Sequence, residues 1–277
     1  MNAEQLKGKI RYFSQKTKLP PQEILQMYMF ERILERLSES EYSKNFILKG
    51  GLLISSMLGI AERSTMDMDV TVKGIDMDEQ TVSQTVKKIL EIDNGDGINF
   101  VFKKIEPIRE DDEYFNFRVH FNAVFGKINN PMKIDITTGD IITPCAVEYS
   151  FKSVFDGKFI PIMAYNKETV IAEKYETIIR RNIANTRARD FYDLYKFFNV
   201  YRDSIDKNVL KSAVYNTSRK RNSIQEIEDA AEIISEMRDE KYLKNLWKNY
   251  SETNAYSSEI TFNDVIDNLF ELMKFIM

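Results

Sequence analysis

One cysteine and one histidine, Cys145 and His120, occur in the 277 residues. A single thiol cannot close a disulfide within the chain, and a zinc cluster needs more sulfur and imidazole than this. A reducing cytoplasm is the expected setting, with Cys145 a small packed residue. No apolar run approaches a membrane span, and the opening MNAEQLKGKIRYF has no apolar signal-like core, so no membrane is expected as a partner. Neither sign of charge dominates. A net charge of -4 gives no global basic field for nucleic acid, so any such case rests on local patches. Glycine is scarce, and the last is Gly157.

What is present divides the chain in two. Pro20-Pro21 leads into a helical stretch over 22–37. A short apolar run, 46–48, meets Gly50-Gly51, and a helix is expected over 52–58. The segment 66–72 alternates as a strand and 78–92 returns to helix. Asn-Gly and Asp-Gly in succession mark a turn over 93–97. Strands are expected at 98–105, 114–125, 132–137 and 159–163, the last confined to a sheet edge by Pro161. From about 166 onward the patterns are helical, over 167–181, 187–200, 204–216, 222–239, 240–250 and 260–276. The fold class is therefore α+β: a first domain over 1–160, then an all-helical domain over 161–277.

The chemistry centres on Asp67-Met68-Asp69 and Lys133-Ile134-Asp135-Ile136. Residues two apart on a strand share a face, so Asp67 and Asp69 project together while Met66, Met68 and Val70 take the buried side. Asp135 stands likewise between two isoleucines. Three carboxylates brought together need something to offset their repulsion. Two divalent cations would do so, and oxygen-only ligands suit Mg²⁺. Such a set serves phosphoryl or nucleotidyl transfer. Gly50-Gly51 ahead of a helix lets backbone approach a ligand and offers a helix N-terminus to phosphate, or is simply a tight turn.

The ordered set Gly50-Gly51, Arg63-x-Thr65-x-Asp67-x-Asp69, Lys133-x-Asp135-Ile136, Ala172-Glu173-Lys174 and Arg189-Asp190-x-x-Asp193 resembles the AbiEii/AbiGii toxin family. These are nucleotidyltransferase-like toxins with a DNA polymerase β type of fold. The resemblance spans about 46–200; beyond about 205 no motif matches. It implies a polymerase β-like first domain, a mixed sheet flanked by helices, with the helical domain completing the nucleotide site. It implies an NTP held by Gly50, Gly51, Arg63, Thr65, Lys133 and Lys174, with Lys174 reaching the phosphates. Asp67, Asp69 and Asp135 would hold two Mg²⁺ ions. Asp190 would join the catalytic residues, orienting Lys174 or acting near the acceptor. The family implies a winged-helix antitoxin encoded alongside, in abortive phage infection systems. Some relatives transfer nucleotides to tRNA, so an RNA acceptor, tRNA in particular, is the expected partner. Transfer to a small molecule such as an antibiotic, or non-catalytic nucleotide binding, are the alternatives.

Three features stay open. His120 lies on the polar side of its strand and is either a general base or a partly exposed strand histidine. Lys174, Arg180, Arg181, Arg187, Arg189 and Lys196, with Arg219-Lys220-Arg221, either line a groove for RNA or are solvated helix faces with local ion pairs. Asp193 shares the helix face of Asp190 and is either functional or a surface acid.

Overall fold

A computed structural model describes residues 1–108 and 116–277. The described residues form two units. The first comprises Met1–Asp140 and Ala146–Ala164, the second Ile141–Cys145 and Tyr165–Met277.

The first unit is built on a seven-stranded mixed sheet. Its strands are β1 (Phe46–Lys49), β2 (Met68–Val72), β3 (Asn99–Pro107), β4 (Phe117–Phe125), β5 (Ile128–Thr137), β6 (Val147–Lys152) and β7 (Phe159–Ala164). Their order across the sheet is β3-β4-β5-β2-β1-β7-β6. β2 runs parallel to β5, and β1 parallel to β7; the other pairs are antiparallel. Four helices accompany the sheet: α1 (Ala3–Thr17), α2 (Pro21–Glu39), α3 (Gly50–Leu58) and α4 (Glu79–Leu90).

Alternation decides which face is which. Met68, Val70 and Ile134 of the sheet pack with Ile33 and Leu37 of α2 and Val86, Ile89 and Leu90 of α4. Burying each such side chain contributes about 1.5–3 kcal/mol. The intervening residues Lys49, Asp69, Asp135 and Arg118 therefore point to the other face. Arg36 of α2 ties the 93–97 turn to this core. Its guanidinium donates to both oxygens of Asp96, at 2.8 and 2.9 Å, and to the Ile98 carbonyl at 2.9 Å.

The second unit is helical: α5 (Lys167–Arg181), α6 (Ala188–Tyr201), α7 (Lys207–Lys220), α8 (Ile224–Glu228), α9 (Ala230–Asp239), α10 (Lys241–Thr253) and α11 (Phe262–Ile276). Asn166 caps α5, its side chain accepting from the Thr169 N–H at 2.8 Å. α5 packs on α6 and α7, and α11 on α6 and α9. No helix among the described residues is long and apolar enough to cross a membrane.

Several expectations need correction. The strand expected at 66–72 begins only at Met68, and Met66 is exposed rather than buried. The Thr65 hydroxyl accepts from the Asp67 N–H at 3.3 Å, so the chain is still turning there. β7 is an interior strand despite Pro161. It pairs with β1 only at Met163 and Ala164, past the proline, so no ladder bond to β1 is lost. β5 starts at Ile128, four residues earlier than expected, because Gly126-Lys127 forms a two-residue hairpin with β4. The helix expected over 222–239 is two helices, broken at Asp229. β6 and α1 carried no clear pattern; β6 is an edge strand with Phe151 its one buried residue. Cys145 is exposed, not packed. Tyr114 and Phe115, expected in β4, lie outside the described residues.

Glu31 of α2 supplies a pH test of this fold. It is fully buried, accepting from the Ser153 hydroxyl at 2.6 Å and the Val154 N–H at 2.7 Å. Burial pushes its carboxyl up from 4.5 to about 7, against the pull of those hydrogen bonds. The folded chain thus binds a proton there more tightly than the unfolded chain does. Stability is gained below the unfolded value and lost as pH rises toward 7, at no more than about 1.4 kcal/mol per pH unit. Glu31→Gln keeps the shape and removes the titration. In urea unfolding, wild type is expected to lose stability relative to Glu31→Gln between pH 5 and 7.5. A constant difference would contradict a protonated buried Glu31.

Candidate active site

Strand register gathers the charged residues of the polar sheet face into one row. Lys49 of β1 pairs with Asp69 of β2, Asp69 with Asp135 of β5, and Asp135 with Arg118 of β4. Arg118 pairs in turn with Glu106 of β3. Directly paired residues point to the same side, so acid, cation, two acids and cation lie across five adjacent strands. Two residues along, Lys104, His120 and Lys133 form a second row.

The β1–α3 turn packs against this row. Gly50 has φ +66°, which glycine adopts without strain. A Cβ there would stand 2.8 Å from Cγ of Asp69. A Cβ on Gly51 would stand 2.7 Å from the Thr65 hydroxyl and 2.9 Å from an Arg63 guanidinium nitrogen. The missing side chains therefore admit the protein's own Asp69, Arg63 and Thr65 to the head of α3. The dipole of α3 favours a carboxylate there. Arg63 is buried, its guanidinium donating to the Ser64 carbonyl, and Thr65 is buried beside it.

Each carboxylate has its surroundings. Asp67 pairs with Lys133 at 2.9 Å, both about two-fifths exposed. Asp135 accepts a two-pronged grip from Arg118, Nε to Oδ1 at 2.7 Å and Nη2 to Oδ2 at 2.8 Å. That grip holds the guanidinium well above its ordinary value, with the Asp67 and Glu106 charges adding to it. At the far end of the row Lys49 pairs with Asp140, which also accepts from Thr137 at 3.0 Å. Among the described residues no group of three or more His, Cys, Asp or Glu stands ready to hold a metal ion. Register sets Asp69 beside Asp135, while Asp67 and Asp135 each face a side-chain cation. The donor set nonetheless suits a hard divalent cation, being all carboxylate oxygen.

In the helical unit, Lys174 of α5 pairs with Asp190 of α6, and with Asp193 at 3.0 Å. Asp193 is fully buried, so it is no surface acid. The basic patch is partly spent. Glu176, fully buried, accepts from Arg180 at 2.7 Å, Arg221 at 2.6 Å and Ser223 at 2.8 Å. Arg221 also reaches Glu173 at 3.0 Å. Arg187 and Arg189 remain exposed. His120 hydrogen-bonds Glu106 at 2.8 Å and sits partly exposed on its strand.

Arg118 is the residue that sequence reasoning passed over. It was legible only as a polar-face residue of β4. The Gly126-Lys127 hairpin was the available signal. Residues equidistant from that turn pair, and that rule joins Arg118 to Asp135 and His120 to Lys133.

Comparison with known proteins gives this geometry its class. Residues 32–268 match the family of the nucleotidyl transferase AbiEii toxin, type IV toxin–antitoxin system. The chain belongs to that family, and so to the nucleotidyltransferase enzymes that act as toxins beside a cognate antitoxin. A Helicobacter pylori protein described as a nucleotidyltransferase candidate is similar at 16% identity and a TM-score of 0.49, over 93% of this chain and 97% of its own. JHP933 from Helicobacter pylori is similar at 18% identity and a TM-score of 0.49, over 93% and 94%. An antigenic nucleotidyltransferase-like protein from Paracoccidioides brasiliensis reaches 13% and 0.39, over 70% and 89%. No curated protein matches the chain.

Gly50 and Gly95 separate strain from contact. Their φ angles are +66° and +67°, but an added Cβ at Gly95 meets nothing within 4 Å. Gly95→Ala is expected to cost about 1–2 kcal/mol from backbone strain. Gly50→Ala is expected to cost at least about 1 kcal/mol more, since Asp69 must move. Equal losses in urea unfolding would mean that the Asp69 contact yields freely.

Proposed function

We propose that this chain is a Mg²⁺-dependent nucleotidyltransferase toxin that transfers a nucleotide from an NTP to RNA, tRNA in particular, and so arrests growth. The observation that carries this is the register of Lys49, Asp69, Asp135 and Arg118 across one sheet face, with Gly50-Gly51 at its edge. It supports a site built for a polyphosphate with divalent cations. Asp67, Asp69 and Asp135 would hold two Mg²⁺ ions. Bound there, the ions supply charge compensation and polarise the α-phosphate.

The chain's own residues do the rest. Gly50 and Gly51 let Asp69 come close against the head of α3, so that a triphosphate held by metal at the carboxylates would lie beside that helix N-terminus. Lys133, Thr65 and Arg63 serve the nucleotide, Arg63 by bracing the turn from within. Lys174 offers its ammonium to the triphosphate, with Asp190 and Asp193 fixing its position. The acceptor hydroxyl oxygen bonds to the α-phosphorus as the bond to the β-phosphate's bridging oxygen breaks. Pyrophosphate leaves, and Asp135 takes the hydroxyl proton. Positioning and charge stabilisation supply most of the acceleration. The partner is a winged-helix antitoxin, the setting the bacterial cytoplasm, and the role abortive phage infection.

A small-molecule acceptor is the second reading. The engagement of Arg180 and Arg221 by Glu176 favours it, since it leaves less cation for an RNA backbone.

Purified chain is to be incubated with total bacterial RNA, Mg²⁺ and each α-³²P-labelled NTP in turn. Label in a tRNA-sized band, lost in Asp69→Asn, is the expected result. Nucleotide consumption without labelled RNA would favour the small-molecule reading, and no transfer under any NTP would oppose both. Lys174→Ala is expected to weaken NTP binding by about tenfold, a loss typical of one charge-assisted contact. Unchanged affinity by calorimetry would remove Lys174 from the nucleotide.

A further inference from the structure

Arg118 lies where a metal-dependent reading least expects it. Its fork takes both oxygens of Asp135, at 2.7 and 2.8 Å, and Asp135 is only about one-fifth exposed. A hard cation binding at Asp135 needs at least one of those oxygens. Arg118 is also in direct register with Glu106 of β3 on its other side. It therefore stands among the carboxylates rather than at their margin. Lys133 covers Asp67 in a lesser way, through one contact at a more exposed position. The carboxylate row is thus not a bare acid cluster; its repulsion is already offset by side-chain cations.

We propose that Arg118 is a positioning residue that competes with divalent metal for Asp135, so that the metal binds only by displacing the guanidinium. The inference rests on the proposed assignment of Asp67, Asp69 and Asp135 to the metal. While the fork is closed, Asp135 holds its place beside Asp69 without a metal. The measured affinity for metal alone is then the intrinsic affinity reduced by the fraction of chains in which the fork is open. Once displaced, Arg118 keeps its charge next to the site, where the added negative charge of a nucleotide's phosphates would receive it. Metal arriving with a nucleotide thereby has an advantage over metal arriving alone.

The test is Mn²⁺ binding to the full chain, by calorimetry and by the paramagnetic signal of free Mn²⁺, without nucleotide. Wild type, Arg118→Met and Asp69→Asn are compared. Methionine keeps the length of the stem and removes the fork and the charge. Arg118→Met is expected to bind Mn²⁺ about 2- to 5-fold more tightly, the factor by which a partly exposed pair holds its carboxylate. Its apo form is expected to melt lower than wild type and to gain more from saturating Mn²⁺. Should Arg118→Met fail to fold, Arg118→Lys serves, with a smaller gain because it keeps the charge but not the fork. Binding that is lost in Asp69→Asn but unchanged or weaker in the Arg118 variant would overturn the competition and leave the metal assignment standing. No binding in wild type or variant, or binding that survives Asp69→Asn, would overturn the assignment and the competition with it.

Discussion

Asp69 and Asp135 are neighbours because β2 and β5 pair in parallel, and nothing about that pairing removes their repulsion. Like charges side by side on a sheet are destabilising unless a cation stands near. The first unit supplies cations on both flanks, Lys49 in register with Asp69 and Arg118 in register with Asp135. The same register turns Met68, Val70 and Ile134 toward α2 and α4. Hydrophobic core and charged row are thus two faces of one constraint. A slip of a single residue would bury the acids and expose the apolar side chains.

The glycine turn belongs to that constraint as well. Gly50 and Gly51 are the two positions where the head of α3 comes against Asp69, Arg63 and Thr65. Their lack of a side chain lets helix and strand meet closely, which brings backbone N–H groups near the acids. The helical unit repeats the logic in a smaller form. Lys174 is held by two acids of α6 one helical turn apart, so its ammonium has a defined position before any ligand arrives. In both units a charge proposed to act on substrate already has a protein partner.

Much of this was legible in the sequence where the signal was local. An aspartate between isoleucines and the helical pattern over 167–181 each describe a few consecutive residues, and the expected elements follow. The boundary at Met68 was not legible, because the Thr65 turn competes with the apolar alternation that starts at Met66. Pro161 misled because the rule for proline concerns the side of the strand that must donate, and β1 pairs only beyond it. β6 escaped because an edge strand with one buried residue has no period to read. The partners of the acids were the least legible of all. Arg118 lies 17 residues before Asp135 and meets it only through hairpin register. Arg221 meets Glu176 only once α5 and α7 have packed. The partners escape a local reading for one reason: the pairing cations come from elsewhere in the fold.

The most direct test of the account is a crystal of the chain grown with Mn²⁺ and a non-hydrolysable NTP, read by anomalous scattering. The account predicts anomalous peaks in contact with Asp69 and Asp135, with the Arg118 fork withdrawn from Asp135. A bound nucleotide with no peak at these carboxylates, and the fork still closed, would contradict it.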